Sequence, residues 1–389
     1  MEARSVTGPA KNLINFCRWL GTAEGAQTGL SATIATFDRS AKSRGSEAFV
    51  GAARAAGIDT HVMRESRLFD LGVIPQLREI TARVRPDIIQ THNSKSHLLI
   101  KLLPELRARR PWFAFQHGYA YPDFKQGLYN QVDRLTLRSA DRVVSVCQAF
   151  APRLVAFGVR RERIRVLHNS AIPVPPIPQP ERARLLDQLG IRHGESVVLT
   201  IGRLSREKGH ADLVRALGRM RSIAQEWKLV VVGIGPEHEA LERLARSLGI
   251  SGRVVFAGFH PDVARFFAIA DVFVLPSHSE GSSNVLLEAM MARVPIAATG
   301  AGGNPEIIVD DDSGLLVPVS DSQALADAIT RLLKDRELAA RLAESAFARA
   351  GREFSLERYR GRLSGFYAEA LGRGYEGAAC SAGYSRDAN

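Results

Sequence analysis

At 389 residues and 45% hydrophobic content, the chain is long enough for two ordinary cores, which excludes a disordered or fibrous class. No apolar run approaches the ~18 residues that span a bilayer and residues 1–5 lack a signal-peptide core, so the chain reads as cytoplasmic, at most resting on the inner face of a membrane. Cys17, Cys147 and Cys380 are scattered and odd in number, which excludes a disulfide framework, and the net charge of +11 is dispersed without the aromatic–basic pattern of nucleic-acid binding.

That charge leaves an anionic membrane face, an anionic lipid-linked acceptor and simple compositional bias as its explanations. In chain order, Gly8-Pro9-Ala10-Lys11 opens a helix whose face carries Leu13, Ile14, Phe16, Cys17 and Leu20. A glycine turn feeding a helix lays backbone N–H groups where a phosphate can meet them. A buried parallel strand is a continuous apolar run, and residues 1–7 supply only the tail of one. The expectation is therefore a truncated first strand, stunted in the middle of its sheet, with Gly8 under-supported.

Short apolar runs then alternate with helical stretches at Ser31–Phe37, Thr60–Met63, Asp87–Thr91, Trp112–His117, Arg142–Cys147 and Ile164–Leu167. This alternation predicts a parallel sheet covered on both faces. Ligands of such sheets sit at strand ends, which singles out Thr91–Lys95 and Gln116–Tyr119. His117 directly follows a strand and precedes a glycine, so it is expected to face the crevice. His92 and Lys95 read as an ordinary polar loop. Lys101–Arg110 is basic and apolar together, but Pro104 shortens it to a connecting surface helix.

Ile172–Pro180 is a stiff proline-rich connector. It predicts a first domain over 1–170, a linker over 171–180 and a second domain over 181–354. A final helix over 355–371 crosses back to the first domain, and the small polar tail 372–389 reads as disordered.

The second half opens with strand Ser196–Ile201, followed by Gly202-Arg203-Leu204-Ser205-Arg206-Glu207-Lys208-Gly209. A cationic loop between strand and helix suits an anion: Arg203 as a fork onto phosphate oxygens, Lys208 as a point charge. It is not a Walker A loop. After strand Leu229–Val232, Gly233-Ile234-Gly235 lacks the third glycine and the acid of a dinucleotide fingerprint, which weakens an oxidoreductase reading. Gly258-Phe259-His260 follows strand Arg253–Ala257, and Gly300–Glu306 is a flexible loop with Glu306 on the base or ribose side. Asp310-Asp311-Asp312 precedes Ser313-Gly314 and reads as an acidic turn, not a metal site.

Between them lies Ser277–Met290. The run Val272–Leu275 reads as a buried strand ended by Pro276, and a helix begins at Asn284 with Ser283 as N-cap. Glu280 falls in the loop; Glu288 lies within the helix, where Leu286, Leu287, Ala289 and Met290 surround it, so its charge needs a partner. Free N–H groups at the helix start (Ser283, Asn284, Val285, Leu286) suit a phosphate between the two carboxylates. A nucleotide sugar has that distribution of groups.

Glu280 and Glu288, set in Glu-Gly-x4-Leu-Leu-Glu-Ala-Met, resemble the paired glutamates of retaining glycosyltransferases of family 4. Gly202–Gly209 resembles the same family's Gly-Arg-Leu-x3-Lys-Gly. The resemblance covers nearly the whole chain and implies the GT-B fold, two Rossmann-like α/β parallel-sheet domains facing each other across a cleft. It implies that Glu280 faces the donor sugar and Glu288 holds the ribose. Gly8, Gly202, Arg203 and Lys208 would meet the diphosphate, with Gly235 in the same donor site and Phe259 by the base. His117 would lie near donor sugar and acceptor. His168-Asn169-Ser170 departs from the family's usual Asn-Gly ending. No cofactor or metal is expected. The partners expected are a nucleotide sugar and a glycan, lipid-linked or small-molecule acceptor. A non-transferring GT-B enzyme such as a sugar-nucleotide epimerase, and an inactive nucleotide-sugar-binding protein, stand as alternatives.

Overall fold

The computed structural model describes residues 8–38, 47–66, 70–108, 110–118, 124–220 and 226–372, without the side chains of 124–129. The strand expected ahead of Gly8, Tyr119, the tail from 373 and Cys380 lie outside the described residues. In the first half, β1 (Thr33–Asp38) pairs with β2 (Asp59–Arg64). A second parallel set runs β3 (Ile89–Thr91), β4 (Trp112–Gln116), β5 (Arg142–Ser145), β6 (Ile164–Val166) in that order. β4 is buried at every position, as a run of Trp, Phe, Ala and Phe in a two-faced sheet must be. Pro104 splits the basic segment into helices Ser94–Leu102 and Pro104–Arg107.

The second half forms one six-stranded parallel sheet. Its strands are β7 (Ser196–Ile201), β8 (Trp227–Val232), β9 (Val254–Gly258), β10 (Val272–Leu275), β11 (Ile296–Thr299) and β12 (Leu315–Val317), in the order β12-β11-β10-β7-β8-β9. β11 was not among the expected strands. Its Ala297-Ala298 core is weakly strand-forming, and burial between β10 and β12 makes it one. The chain winds outward from β7 to β9, then crosses to β10 on the other side. β7 and β10 are neighbours, with Val198 opposite Val272, so the loops leaving them emerge side by side at the topological switch point.

Two apolar layers cover this sheet, one around Leu213, Leu217, Leu325 and Ile329, the other around Phe266, Phe273, Leu287 and Met290. The connector runs extended until helix Gln179–Gln188, which begins inside the expected linker with Pro180 in its first turn. Ala171 bridges Ser355, so connector and return helix start together. Helix Leu356–Ala370 then carries Tyr359, Leu363 and Tyr367 into a core with Phe16, Trp19, Phe113 and Phe115 of the first half. Burial of an aromatic side chain such as Tyr359 or Tyr367 is worth about 1.5–3 kcal/mol, which holds the helix on the first half.

The acidic triplet is a turn, as expected. Asp310 Oδ1 accepts from Leu316 N at 2.8 Å, Asp311 pairs with Arg331 at 3.0 Å and Asp312 accepts from Ser345 Oγ at 3.2 Å. Among the described residues no helix is long and apolar enough to cross a membrane. Cys17 and Cys147 are free and buried.

Candidate active site

The loops after β7 and β10 meet because Gly209 lets them. It stands at φ 64°, and a Cβ there would fall 1.9 Å from the Pro276 carbonyl oxygen. That approach sets Lys208 Nζ 2.6 Å from Glu280 Oε1, which also accepts from Ser277 Oγ at 2.7 Å. Glu280 is only 8% exposed, so this pairing is what keeps its charge tolerable. Arg203 is exposed, and its guanidinium has no partner among the described residues. His210, buried just behind the loop, is held down to about 4 by burial and then by Lys208, so it is neutral beneath the cation.

Ser283 is the N-cap of helix Asn284–Met291, as expected, but its side chain makes no cap hydrogen bond. Gly8 faces this helix start: a Cβ on it would lie 3.2 Å from the Asn284 side-chain Nδ2. Val285 is half-buried, whereas Leu286 turns its side chain wholly into the core and offers the site only its backbone N–H. The partner that Glu288 needs is Lys11, whose Nζ lies 2.6 Å from Oε1. Glu288 Oε2 is buried with no partner among the described residues. Sequence reasoning quoted Lys11 within its glycine turn yet gave it no role. Beside this pair a cavity of about 270 Å³ opens between Ile14, Pro173, Pro175 and Val263.

Gly202 and Gly235 pack where the loops leaving β7 and β8 meet: Gly202 N donates to Val232 O at 3.0 Å, and Gly235 lies against the Leu204 backbone. Phe259 is 54% exposed at the end of β9.

The first half closes on the Glu280 loop. A Cβ on Gly281 would meet Val146 Cγ2 at 2.7 Å and the His117 carbonyl at 3.0 Å, so only glycine permits this approach. Asn169 N donates to Ser282 Oγ at 3.0 Å and its side-chain amide to Ser282 O at 2.6 Å. Ser170, in place of the family's glycine, donates to Asn12 Oδ1 at 2.7 Å.

Glu306 is engaged by groups of the first half. Its oxygens accept from Gln148 N and Ala149 N, each at 2.7 Å, and meet His168 Nε2 at 2.7 Å. Burial pushes this carboxyl up, but those hydrogen bonds outweigh burial and hold it below its ordinary value. These contacts make Glu306 a clamp between the two halves.

His117 Nε2 lies 3.1 Å from His92 Nδ1. Burial, then the neighbouring His97, lowers His117 to about 3, and burial, then His117, lowers His92 well below its usual range. Lys95 lies in helix Ser94–Leu102 rather than in a polar loop, buried against Glu65 and 3.9 Å over the Phe37 ring.

Two parallel α/β halves meeting at a switch point lined with lysine, arginine and glutamate make this a GT-B fold. A family model described as glycosyl transferases group 1 matches residues 181–349, and one described as a glycosyl transferase 4-like domain matches 20–170. Both halves of the chain thus carry a glycosyl transferase domain. It is 33% identical over 220 residues to the lipopolysaccharide core biosynthesis glycosyltransferase LpsE of Rhizobium meliloti (strain 1021), covering 57% of this chain and 62% of that one. That match spans less than two thirds of LpsE. It is 27% identical over 306 residues to the N-acetyl-alpha-D-glucosaminyl L-malate synthase of Bacillus anthracis, covering 78% and 80%. The crystal structure of Anabaena HepE in complex with UDP-glucose superposes with a TM-score of 0.79 at 22% identity, covering 95% of this chain and 98% of that one.

Proposed function

We propose that this chain is a retaining glycosyltransferase that moves a hexose-type sugar from a nucleoside diphosphate sugar to a glycan, lipid-linked or small-molecule acceptor. The observation that carries the reading is the double pairing at the switch point: Lys208 with Glu280 on one side of the Asn284 helix start, Lys11 with Glu288 on the other. Glu288, with one oxygen unpartnered among the described residues, holds ribose hydroxyls, and the adjoining cavity takes the nucleoside. Arg203, Lys208, the Gly8 loop and the helix N-terminus face the diphosphate.

As the C1–O bond to the β-phosphate breaks, charge builds on that phosphate and these groups stabilise it. The acceptor oxygen bonds to C1 on the same face, and its proton passes to a departing phosphate oxygen. Glu280 orients the sugar rather than attacking it. The reaction needs no metal in this reading, because side-chain cations face the leaving group. The protein works in the cytoplasm, and its positive charge suits peripheral contact with an anionic membrane. The differing names of LpsE and the malate synthase leave the acceptor open among the three classes.

The test is thermal unfolding with UDP-, GDP- and ADP-sugars, followed by product analysis with retention read from the new anomeric linkage. A ligand at a hundred times its Kd stabilises by about 2.7 kcal/mol. Donor turnover without a transfer product would favour an epimerase-type enzyme. Binding without turnover would favour an inactive nucleotide-sugar-binding protein.

A further inference from the structure

Gln90 and Tyr367 lie outside the site just described, yet an unbroken line of hydrogen bonds joins them to it. The Tyr367 hydroxyl, on the returning C-terminal helix, donates to Gln90 Oε1. Gln90 Nε2 lies 2.7 Å from His92 Nε2, and His92 Nδ1 lies 3.1 Å from His117 Nε2. The two imidazoles are within 4° of parallel, with Phe115 4.8 Å from His92 on one side.

The direction of this line follows from the donor inventory. With its oxygen taken by the phenol, Gln90 presents its NH₂ to His92, so His92 Nε2 accepts. A neutral imidazole has one acceptor and one donor, so His92 carries its proton on Nδ1 and gives it to His117 Nε2. His117 then carries its own proton on Nδ1. Both rings are neutral, since burial lowers each. His117 Nδ1 is buried and has no partner among the described residues, an arrangement that is costly unless a ligand oxygen completes it. The His117 carbonyl abuts Gly281, next to Glu280, so the free N–H belongs to a residue at the donor loop.

We propose that Tyr367, Gln90 and His92 are positioning residues that fix His117 as its Nδ1–H tautomer, so that His117 donates a hydrogen bond to a sugar oxygen and does not act as a proton acceptor. The sugar rests on the transfer reading above; the tautomer does not. The relay also gives the C-terminal helix a role beyond bracing, because Tyr367 sets its direction.

Selective ¹⁵N-histidine labelling, with His117→Gln to assign the signal, reads the tautomer directly. In the unsubstituted protein, His117 should show a pyrrole-type Nδ1 and a pyridine-type Nε2. Gln90→Glu places a carboxylate that accepts from both Tyr367 and His92 Nε2, which keeps the Tyr367 step, reverses the two that follow and should move the His117 proton to Nε2. Tyr367→Phe keeps the ring's edge contact with Phe113, at 5.2 Å, and should give a mixture of tautomers.

Affinities for UDP-glucose, GDP-mannose and ADP-glucose are then compared with those for UDP, GDP and ADP. Gln90→Glu should weaken the sugar nucleotide that binds by roughly three- to tenfold and leave its nucleoside diphosphate unchanged. An Nε2–H tautomer in the unsubstituted protein, or an unmoved signal in Gln90→Glu, overturns the relay. A reversed tautomer with unchanged sugar-nucleotide affinity overturns the sugar contact. If none of the three sugar nucleotides binds, the transfer reading fails and the contact with it, while the spectra still decide the relay.

Discussion

Lys11 Nζ lies 2.6 Å from Glu288 Oε1, joining the first helix of one half to the strand-end helix of the other across 277 positions of sequence. The lysine side chain is 30% exposed and the glutamate 11%, so the pair falls between a solvated surface bridge, worth 0–1 kcal/mol, and a fully buried one. Lys11→Ala should therefore cost about 1–2 kcal/mol, because it strands a nearly buried carboxylate. Adding Glu288→Gln should recover most of it. Urea midpoints of the two single variants and the double variant measure this, and strictly additive losses would show that the two groups are not coupled.

Glu306 makes the second contact between the halves. Glu306→Ala removes the acceptor of two backbone N–H groups and of His168, and hydrogen bonds to a charged group are worth about 1.5–3 kcal/mol each. The expected outcome is a wider radius of gyration in X-ray scattering, with weaker donor binding than Glu306→Gln, whose single oxygen, set at the Oε2 position, still meets Gln148 N and His168. An unchanged scattering profile would mean that the Lys11–Glu288 pair, Gly281, Asn169 and the return helix hold the halves together without it.

The contrast between these two glutamates shows what was legible in the sequence. Strands β7 to β10 of the second half were readable to within two residues, because buried parallel strands are written as unbroken apolar runs. Glu280, Glu288, Arg203 and Lys208 were found because strand ends and a helix start place them, and local pattern carries that information. Lys11 went without a role and the clamp at Glu306 went unread, because their partners are set by how two sheets face each other. No local spacing encodes that. Gln90 and Tyr367 gave no signal for the same reason: each is an ordinary residue of its own element, and only packing of the last helix on the first half brings them together. β11 was missed because its alanines are buried by neighbours rather than by their own preference.

Stability should fall as pH drops below neutrality. His92, His117 and His210 are neutral when folded, the last two held down to about 3 and about 4 by burial. The unfolded chain, whose histidines titrate near 6.5, binds more protons below that value, so stability is fully present above it and is lost on acidification. Between pH 6.5 and pH 5 each such ring costs about 2 kcal/mol. The lowered Glu306 and Glu369 work in the same direction but only below the ordinary carboxylate range, so histidines dominate the first loss. Denaturant midpoints at pH 7.5 and 5.5 should differ strongly, and His210→Gln should reduce the difference. Equal midpoints would contradict neutral burial.

Chelators should leave transfer intact. Asp310, Asp311 and Asp312 are each engaged within their own turn and its neighbouring helices, and the proposed leaving group faces Arg203 and Lys208 instead. Loss of activity in EDTA, restored by Mg²⁺ or Mn²⁺, would require a different account of the diphosphate.

Arg203 offers the cleanest test of that account. Lys208→Ala also strands Glu280, which is 8% exposed and would keep only Ser277, so its loss of activity mixes chemistry with stability. Arg203 is exposed and has no partner among the described residues, so Arg203→Ala should leave the unfolding midpoint within about 0.5 kcal/mol. If the guanidinium meets charge that develops only as the phosphate departs, kcat should fall by roughly 10²–10³, equivalent to about 2.7–4 kcal/mol, with little change in donor KM. Lysine at this position should restore part of the rate, since it supplies the charge but not the fork. A rise in donor KM with kcat untouched would mean that Arg203 only captures the substrate, and the stabilisation of the leaving group would then have to come from Lys208 and the Asn284 helix start.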